Sequence, residues 1–412
     1  MATEQGIGLS FPRRTTLKNI VRLVPAVVII AAMLNTLSCG SSGLLTPAGS
    51  GTPTATPTTS TGTLAFVTNY NDGTVSSFTR NITTGKLKHT GQTAAGAKKG
   101  PKSVVAAPSG SFLYVANIAD DNIYEFSVNS TNGTLTPLSP GFISNGSGSG
   151  PDQLAINSAG TFLWVTGAGN GSAGNGTVTA YGVNSSTGQL TKNGKVSGLT
   201  SPFGIAVDST NSIVYVADNG AGLVYSFLIG ANGALSQIGS PVSDLGPPGG
   251  GHPGFIAIDP AATYIYVTDL NAGVLAVLQT SAGALSFGSL MPSTTTGNVP
   301  IGIGYATVST VADFVFTANQ GNSTMWSFQV PAPGFPAPPV EFGLGDLNAP
   351  TGLVVDPQNA FVYTTNQNAG TVSQFSLSPT CFASGAPCFV RSVATESPAK
   401  SSSGPFGITL AQ

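Results

Sequence analysis

Residues 202–227 read PFGIAVDSTNSIVYVADNGAGLVYSF and contain three short apolar stretches separated by polar turns. Within each stretch, β-branched and aromatic residues alternate or form short blocks, and no 3.6-residue period persists long enough for a helix. The segment therefore predicts three antiparallel strands, which we name A (GIAVD), B (IVYVAD) and C (GLVYSF). A fourth strand, D, is predicted at residues 234–240, ALSQIGS, after a turn at 230–233.

The pair of strands B and C recurs along the chain. Its seven copies begin at Leu64, Phe112, Phe162, Ile213, Tyr264, Phe314 and Phe361. Successive copies start 47 to 51 residues apart, which is a period typical of β-propellers and other repeat arrays. Four antiparallel strands of this length make one propeller blade. The sequence thus predicts an all-β fold, a seven-bladed β-propeller.

Strand A also recurs seven times, and every copy opens with proline. The copies begin at Pro101, Pro151, Pro202, Pro253, Pro300, Pro350 and Pro405. Proline lacks the N–H that a central strand position donates, so it belongs at the first residue of a strand. The first B–C pair has no strand A before it, and the last strand A, residues 405–412, has no pair after it. We expect this strand to pair with the N-terminal blade and remove its open edge, a split that the alternative, a solenoid, does not need.

The residues before the first repeat have the composition of an export signal and a linker. Four basic residues between positions 13 and 22 precede a 12-residue apolar stretch, 23–34, too short to span a bilayer comfortably. Ser38-Cys39-Gly40 resembles the bacterial lipobox, which predicts lipidation of Cys39. Residues 40–63 are uncharged and rich in Pro, Thr and Ser, as flexible linkers are.

These features predict an export signal at 1–39, a linker at 40–63 and a propeller at 64–412. We expect an exported lipoprotein of a bacterial cell envelope, periplasmic or outer-surface, that meets the membrane only through its N-terminal anchor. Charged residues make up 7% of the chain and form no basic patch, which argues against nucleic acid as a partner. Cys381 and Cys388 predict a small surface-loop disulfide in an exported protein. No metal site, no cofactor and a monomeric state are expected.

Candidate functional residues lie where strand B ends and strand A begins, because these positions should meet at one mouth of the central channel. Concave mouths are the default binding site of such folds. Strand B ends in Asn69, Asn117, Gly167, Asp218, Asp269, Asn319 and Asn366. Asn and Asp favour Asx turns at such positions, so a structural role is the stronger interpretation. The acidic pair, Asp218 and Asp269, stays a candidate for ligand binding.

The starts of strand A vary, and two of them are polar. Five copies carry apolar residues, Thr or Gly there, whereas the second and third carry Lys102-Ser103 and Asp152-Gln153. A Lys and an Asp on neighbouring inner strands could bind an anionic or hydroxylated ligand, or act as a base with an orienting cation. The alternative is a partly exposed ion pair that contributes at most about 1 kcal/mol. His252, in a Gly-rich loop, is a further ligand-binding candidate or a surface residue.

The units LYVAN, IYVTD and VYTTN, followed by GTVSxF and by TGxL at 84–87 and 187–190, resemble the lactonase family of seven-bladed β-propellers. That family includes 6-phosphogluconolactonase-like proteins and is related to the YVTN repeat proteins of bacterial surfaces. The resemblance implies hydrolysis of sugar lactones by water activated at the channel mouth. Members typically carry Pro-Arg-His at a strand A start, where this chain has Pro-Lys102-Ser103 and Pro-Asp152-Gln153. The base would then be Asp152, Asp218 or Asp269.

Two functions follow as hypotheses. The first is an exported lactonase-like hydrolase with Lys102 and Asp152 as catalytic candidates and a lactone or sugar as its small-molecule ligand. The alternative is a non-catalytic envelope propeller that binds a sugar, a peptide or a protein partner. A purely structural surface protein is a third possibility.

Overall fold

A computed structural model describes residues 64–246, 249–291, 299–308, 313–331, 336, 340–342, 347–377, 389–391 and 403–411. These residues form strands, turns and loops, and no helix occurs among them. None of the described residues belongs to a helix long and apolar enough to cross a membrane. The predicted export signal, the linker and all three cysteines, Cys39, Cys381 and Cys388, lie outside the described residues.

The strands form seven four-stranded antiparallel sheets, as the sequence predicts. Strand A lies at one edge of every sheet and strand D at the other. In blades 1 to 7, strand A is β28 (Pro405–Ala411), β4 (Pro101–Ala106), β8 (Pro151–Ile156), β12 (Pro202–Val207), β16 (Pro253–Ile258), β20 (Pro300–Thr307) and β24 (Pro350–Val355). Strand B is β1 (Leu64–Asn69), β5 (Phe112–Asn117), β9 (Phe162–Gly167), β13 (Ile213–Asp218), β17 (Tyr264–Asp269), β21 (Asp313–Asn319) and β25 (Phe361–Asn366).

The outer half of each blade consists of strands C and D. Strand C is β2 (Thr74–Arg80), β6 (Asn122–Val128), β10 (Gly176–Val183), β14 (Leu223–Ile229), β18 (Val274–Ser281), β22 (Thr324–Val330) and β26 (Thr371–Leu377). Strand D is β3 (Leu87–Ala94), β7 (Leu135–Ser144), β11 (Leu190–Leu199), β15 (Leu235–Gln237), β19 (Ala284–Met291), β23 (Val340–Phe342) and β27 (Phe389–Arg391). In blade 4, strand D is shorter than the predicted 234–240. Gly239 has a φ of 59° and Pro241 follows it, so regular pairing stops after Gln237.

The inner strands close a ring. Each strand A contacts the strand A of the next blade, and β28 contacts both β24 and β4. Strand β28 pairs antiparallel with β1, with Leu64 opposite Ala411 and Val67 opposite Ile408. Because β28 comes from the C-terminal end and β1 from the first repeat, blade 1 joins distant parts of the chain. The predicted closure is confirmed.

Hydrogen bonds from buried aromatic residues of strand B join neighbouring blades. The Tyr114 hydroxyl donates to the carbonyl of Gly188 at 2.7 Å, and the Trp164 indole N–H donates to the carbonyl of Gly233 at 2.8 Å. Each acceptor glycine lies in the C–D turn of the following blade. A buried Tyr or Trp needs such a partner for its polar atom. Tyr363 makes the same bond to Gly85, whereas Tyr215 bonds to Thr280 Oγ1.

A buried ion pair joins blade 1 to blade 7. Arg80 Nη1 lies 3.0 Å from Asp356 Oδ2, and both side chains are fully buried. The other guanidinium nitrogen, Nη2, donates to Gln358 Oε1 at 3.1 Å. Asp356 Oδ1 also accepts the backbone N–H groups of Ala360 and Phe361, which fixes the A–B turn of blade 7. Charge and hydrogen bonding are thus satisfied together at the ring closure.

Candidate functional site

Each inner strand begins with a bulge. In all seven blades, the opening proline pairs with the last residue of strand B, and the register then shifts. In blade 4, Pro202 lies opposite Asp218 and Ile205 opposite Val216, which leaves Phe203 and Gly204 opposite one residue. Bulges of this kind re-aim side chains. The second and third residues of strand A consequently take orientations that regular pairing would not give them.

Threonines of strand B hold these bulges. Thr166 Oγ1 accepts the N–H of Gln153 at 3.0 Å and donates to the carbonyl of Phe203, in the next blade, at 2.8 Å. Thr68 does the same in blade 1, where it accepts from Gly407 and donates to the carbonyl of Lys102 at 3.1 Å. The threonine therefore fixes its own bulge and the start of the next inner strand, including the backbone of Lys102.

The bulged ends of the inner strands surround a central cavity of about 170 Å³. Its lining comes from the second to fourth residues of six inner strands and includes Ser103, Gln153, Phe255 and Phe406. Lys102 supplies the charge in this lining. The cavity thus presents one ammonium group among hydroxyl, amide and aromatic side chains.

The Lys102 ammonium is held by a carboxylate and two aromatic rings. Lys102 Nζ lies 2.5 Å from Asp152 Oδ2, and the side chains are 14% and 2% exposed. The same nitrogen lies 4.3 Å from the centre of the Phe203 ring and 5.5 Å from that of Phe406. Cation–π contacts of this length attract the ammonium through the ring quadrupole. Residues of blades 1, 2, 3 and 4 therefore meet at one cation.

Asp152 is enclosed by this arrangement. Its Oδ1 accepts the amide of Gln153 Nε2 at 3.1 Å while Oδ2 faces Lys102. Ser103, beside Lys102, accepts the backbone N–H of Leu154 through its hydroxyl at 3.2 Å. The side chains of Lys102, Asp152 and Gln153 thus form one hydrogen-bonded group at the starts of β4 and β8, and Ser103 joins the two strands beside it through the backbone of Leu154.

Comparison with known proteins shows which family this propeller resembles. A family model described as "Lactonase, 7-bladed beta-propeller" matches residues 143–304. The resemblance to the lactonase family is confirmed. A search of curated proteins found none that matches the chain.

Solved structures share the fold of this propeller. A putative 6-phosphogluconolactonase from Bacteroides fragilis is 15% identical with a TM-score of 0.65, over 86% of this chain and 99% of that one. The periplasmic gluconolactonase PpgL of Pseudomonas aeruginosa is 16% identical with a TM-score of 0.62, over 85% and 99%. A protein from Lactobacillus plantarum is 17% identical with a TM-score of 0.66, over 85% and 99%. At these identities the likeness is one of fold.

The other predicted ligand-binding residues, Asp218, Asp269 and His252, lie outside the central group. Asp218 is fully buried and accepts the backbone N–H groups of Thr200 and Ser201 at 2.8 and 2.7 Å. Asp269 is also fully buried and accepts the backbone N–H of His252 at 2.6 Å. Both oxygens of Asp218 and Oδ2 of Asp269 thus bind the loop that leads into strand A, whereas Asp269 Oδ1 accepts the N–H groups of Asn271 and Ala272 in the B–C turn. His252 is half-buried and joins this second network through its backbone.

A carboxyl group that the sequence did not single out lies beside Asp269. Asp244 is fully buried, and neither of its carboxyl oxygens has a hydrogen-bond donor among the described residues. Burial, and then the adjacent charge of Asp269, raise the pKa of Asp244 to about 8. Within the ranges described, no three or more His, Cys, Asp or Glu side chains gather as a metal site.

Sequence reasoning missed the aromatic part of the central group. Phe203 and Phe406 occupy the second position of their inner strands, where Lys102 and Asp152 stand in theirs. The sequence grouped both with the apolar starts, yet their rings contact the ammonium. The sequence did contain a signal, because the second residue of strand A is Phe in blades 1 and 4 but Gly, Ile or Thr in blades 5, 6 and 7.

Proposed function

We propose that this lactonase-family propeller hydrolyses sugar lactones in its central cavity after export as a lipid-anchored envelope protein. The observation that carries the proposal is the Lys102 ammonium, which the protein holds at the cavity with Asp152, Phe203 and Phe406. The family match adds that chains of this fold include lactonases. Cavity size and polarity suit one hydroxylated ring better than an extended chain.

Lys102 would bind the lactone carbonyl oxygen. An ammonium group offers three N–H donors, and the Asp152 contact uses one of them. When water adds to the carbonyl carbon, negative charge develops on this oxygen, and a fixed cation stabilises that charge more than it stabilises the neutral carbonyl. The aromatic rings keep the ammonium in place before the reaction starts.

Asp152 would act as the base. The carboxylate takes a proton from the attacking water, the new C–O bond forms, and the ring C–O bond breaks. The proton then passes from the carboxyl group to the departing ring oxygen, which becomes the hydroxyl of a hydroxy acid. For this step Asp152 Oδ2 must share its contact with Lys102, because water has to come within hydrogen-bond distance of the carboxylate.

The burial of Asp152 favours a second candidate function. Only 2% of its side chain is exposed, and each of its oxygens already has a protein partner. A carboxylate held in this way can position Lys102 without ever meeting water. In this case the cavity binds a sugar or sugar acid through Lys102 and the aromatic rings, and no hydrolysis follows.

Turnover of 6-phosphogluconolactone and of glucono-1,5-lactone, measured above the rate in buffer, distinguishes the two functions. We expect Lys102→Met and Asp152→Asn each to lower kcat/KM by roughly 100-fold, the range seen when one stabilising donor or base is lost. Lys88→Met, an exposed lysine on β3, is the matched control and should leave turnover unchanged. Lactone binding without turnover in the unmodified chain supports the second function and overturns the first.

Export and anchoring need their own experiment. In a bacterial host, the unmodified chain should incorporate labelled fatty acid and sediment with membranes, whereas Cys39→Ala should do neither. Equal labelling of both chains would refute the anchor. This outcome leaves the proposed chemistry of the central cavity untouched.

A further inference from the structure

Blade 3 differs from the other blades at the end of strand B. Six copies have Asn or Asp there, and the third has Gly167. The loop between strands B and C of this blade is also longer, because β9 ends at Gly167 and β10 begins only at Gly176. In blade 4, by comparison, β13 ends at Asp218 and β14 begins at Leu223. A side chain is therefore missing at the position where a loop has been added.

The side chain missing in blade 3 fills a defined space in blade 2. There Asn117 donates from Nδ2 to the carbonyls of Ala95 and Lys98, and its Oδ1 accepts the N–H of Ala119. Asn145 and Gly148 take the places of Ala95 and Lys98 in blade 3. No side chain from position 167 reaches them, and a Cβ at this position would lie 2.8 Å from both the Ser149 carbonyl and Thr177 Oγ1.

A second pocket, separate from the central cavity, is lined by the same three residues, Asn145, Ser149 and Thr177, and has a volume of about 400 Å³. This volume lies within the range typical of small-molecule sites. We name it the blade-three pocket. Its lining is polar or glycine throughout and comprises Asn145, Ser149, Asn170, Asn175, Thr177 and Lys195 together with neighbouring Ser and Gly residues. A lining without apolar side chains selects against a hydrophobic ligand.

The floor of the pocket has buried polar atoms without partners. Asn145 is only 4% exposed, and its Nδ2 has no hydrogen-bond partner among the described residues. Its Oδ1 is fixed by the Tyr181 hydroxyl at 2.8 Å, so the amide nitrogen faces the place where a Cβ on Gly167 would stand, 3.3 Å away. Ser149 Oγ is likewise buried and unpartnered. An unpaired buried donor is unfavourable unless a ligand or water meets it.

The charge at the pocket is positive. Lys195 lines it, and Lys192 on the same strand donates from Nζ to the carbonyl of Asn145 at 3.2 Å. Among the described residues, neither lysine has a carboxylate within ion-pair distance. The nearby Asp121 accepts the backbone N–H groups of Gly148 and Gly150 through both carboxylate oxygens. Ammonium, amide and hydroxyl groups together form a site rich in donors.

We propose that the blade-three pocket binds a sugar acid, with the carboxylate of the ligand at Lys195 and its hydroxyls at Asn145, Ser149 and Thr177. A carboxylate forms charge-assisted hydrogen bonds with an ammonium group, and sugar hydroxyls can accept from the amide and exchange hydrogen bonds with the side-chain hydroxyls. The site does not depend on lactone hydrolysis in the central cavity.

Titration of the full chain with D-glucuronate, followed by NMR, tests the proposal. Lys195→Met should weaken binding about tenfold or more, because a charge-assisted contact is lost at an exposed position where folding is not at risk. Lys88→Met is the control for charge and should bind glucuronate as the unmodified chain does. Lys102→Met removes the cation of the central cavity, so the glucuronate binding that remains in this variant belongs to the blade-three pocket.

A second variant disturbs the pocket at Asn145, Ser149 and Thr177. Gly167→Asn restores the residue type of the other copies, but its Cβ would lie 2.8 Å from both the Ser149 carbonyl and Thr177 Oγ1, so the wall of the pocket must shift. Binding should be lost in this variant, and a thermal melt run alongside checks that the fold is retained. Three results would overturn the proposal: no binding of glucuronate, equal binding of D-glucose, or Lys195→Met binding as well as the unmodified chain.

Discussion

Two ion pairs link adjacent blades, and they differ in what surrounds the cation. Arg80 and Asp356 join blades 1 and 7, are both fully buried, and leave the guanidinium bound to Gln358 as well. Lys102 and Asp152 join blades 2 and 3, and the ammonium is 14% exposed at the edge of a cavity. The guanidinium of the first pair is hydrogen-bonded to protein groups, whereas the ammonium of the second keeps N–H donors at the edge of the cavity. A cation paired with Asp can therefore either stabilise the ring closure or take part in a candidate binding site.

Removal of Arg80 should produce the largest loss of stability. Arg80→Met leaves Asp356 buried and without a cation, which typically lowers the free energy of unfolding by about 3–5 kcal/mol. Lys102→Met should lower it by less, about 1–3 kcal/mol, because the ammonium is 14% exposed at the edge of a cavity, where water can take its place beside Asp152, and the Met side chain can still pack on the rings. Urea unfolding curves of the two variants provide the measurement. A smaller loss for Arg80→Met than for Lys102→Met would reverse the comparison.

Asp244 differs from the aspartates of the two ion pairs, because it is buried and forms no ion pair among the described residues. Burial and the neighbouring Asp269 raise the pKa of Asp244 from an ordinary value near 3.9 to about 8. The folded chain then holds a proton that the unfolded chain has lost, so stability is greatest at low pH and falls as the pH rises between about 4 and 8. The decline amounts to at most about 1.4 kcal/mol per pH unit.

Asp244→Asn tests this dependence on pH, because an amide keeps the shape and a hydrogen-bond donor but has no proton to lose. Urea unfolding at pH 5 and at pH 7.5 should show a steep decline for the unmodified chain and a flatter one for the variant. Equal slopes would mean that Asp244 is ionised in the folded state throughout this range.

The aromatic rings around Lys102 should contribute a smaller energy, which can be isolated by a double-mutant cycle. Phe203→Leu removes the nearer cation–π contact and part of the edge-to-face contact with Phe255. In a Lys102→Met background, the same substitution removes only part of the contact with Phe255. Phe203→Leu should therefore lower the free energy of unfolding by about 0.5–2 kcal/mol more in the unmodified chain than in the Lys102→Met background. A coupling energy of zero would show that the ring is only a packing group.

The smallest expected effect comes from the loss of a single tyrosine hydrogen bond, either at the ring closure or at an ordinary blade junction. Tyr363→Phe removes a 2.7 Å hydrogen bond to Gly85, which joins blades 7 and 1, and Tyr114→Phe removes the equivalent bond to Gly188. Each bond should contribute about 1 kcal/mol, and Tyr363→Phe should lower stability more than Tyr114→Phe because the Tyr363 hydroxyl also contacts Arg80. Equal losses, measured from urea midpoints, would mean that this contact adds nothing to the closing junction.

The fold was predictable because each repeat supplies its own pattern. Alternating apolar residues, an opening proline and a turn glycine mark the strands, and seven aligned copies remove the ambiguity of any single one. The shortened strand β15 was missed, because Gly239 takes a positive φ where the alternation of Ser and Ile suggested continued pairing.

The candidate site was predictable only in part. Lys102, Ser103, Asp152 and Gln153 stood out because they break the pattern of the other copies. Asp218 and Asp269 bind backbone N–H groups of loops, in keeping with the structural role that their place at the end of strand B favours, whereas the part of His252 in this network was not predicted. The contact of Phe203 and Phe406 with the ammonium depends on bulges, which shift side chains by an amount that strand periodicity does not encode.

The pairing of β1 with β28 has a consequence for the order of folding. Blades 2 to 7 each pair strands that follow one another in sequence, but Leu64 meets Ala411 only after a loop of about 350 residues has closed. Relative to a hairpin of about 15 residues, this closure carries an extra entropic cost of about 3 kcal/mol. Six blades can therefore form from local contacts, and the last to complete is the one that holds Arg80, so the buried ion pair of the ring assembles at the end of folding.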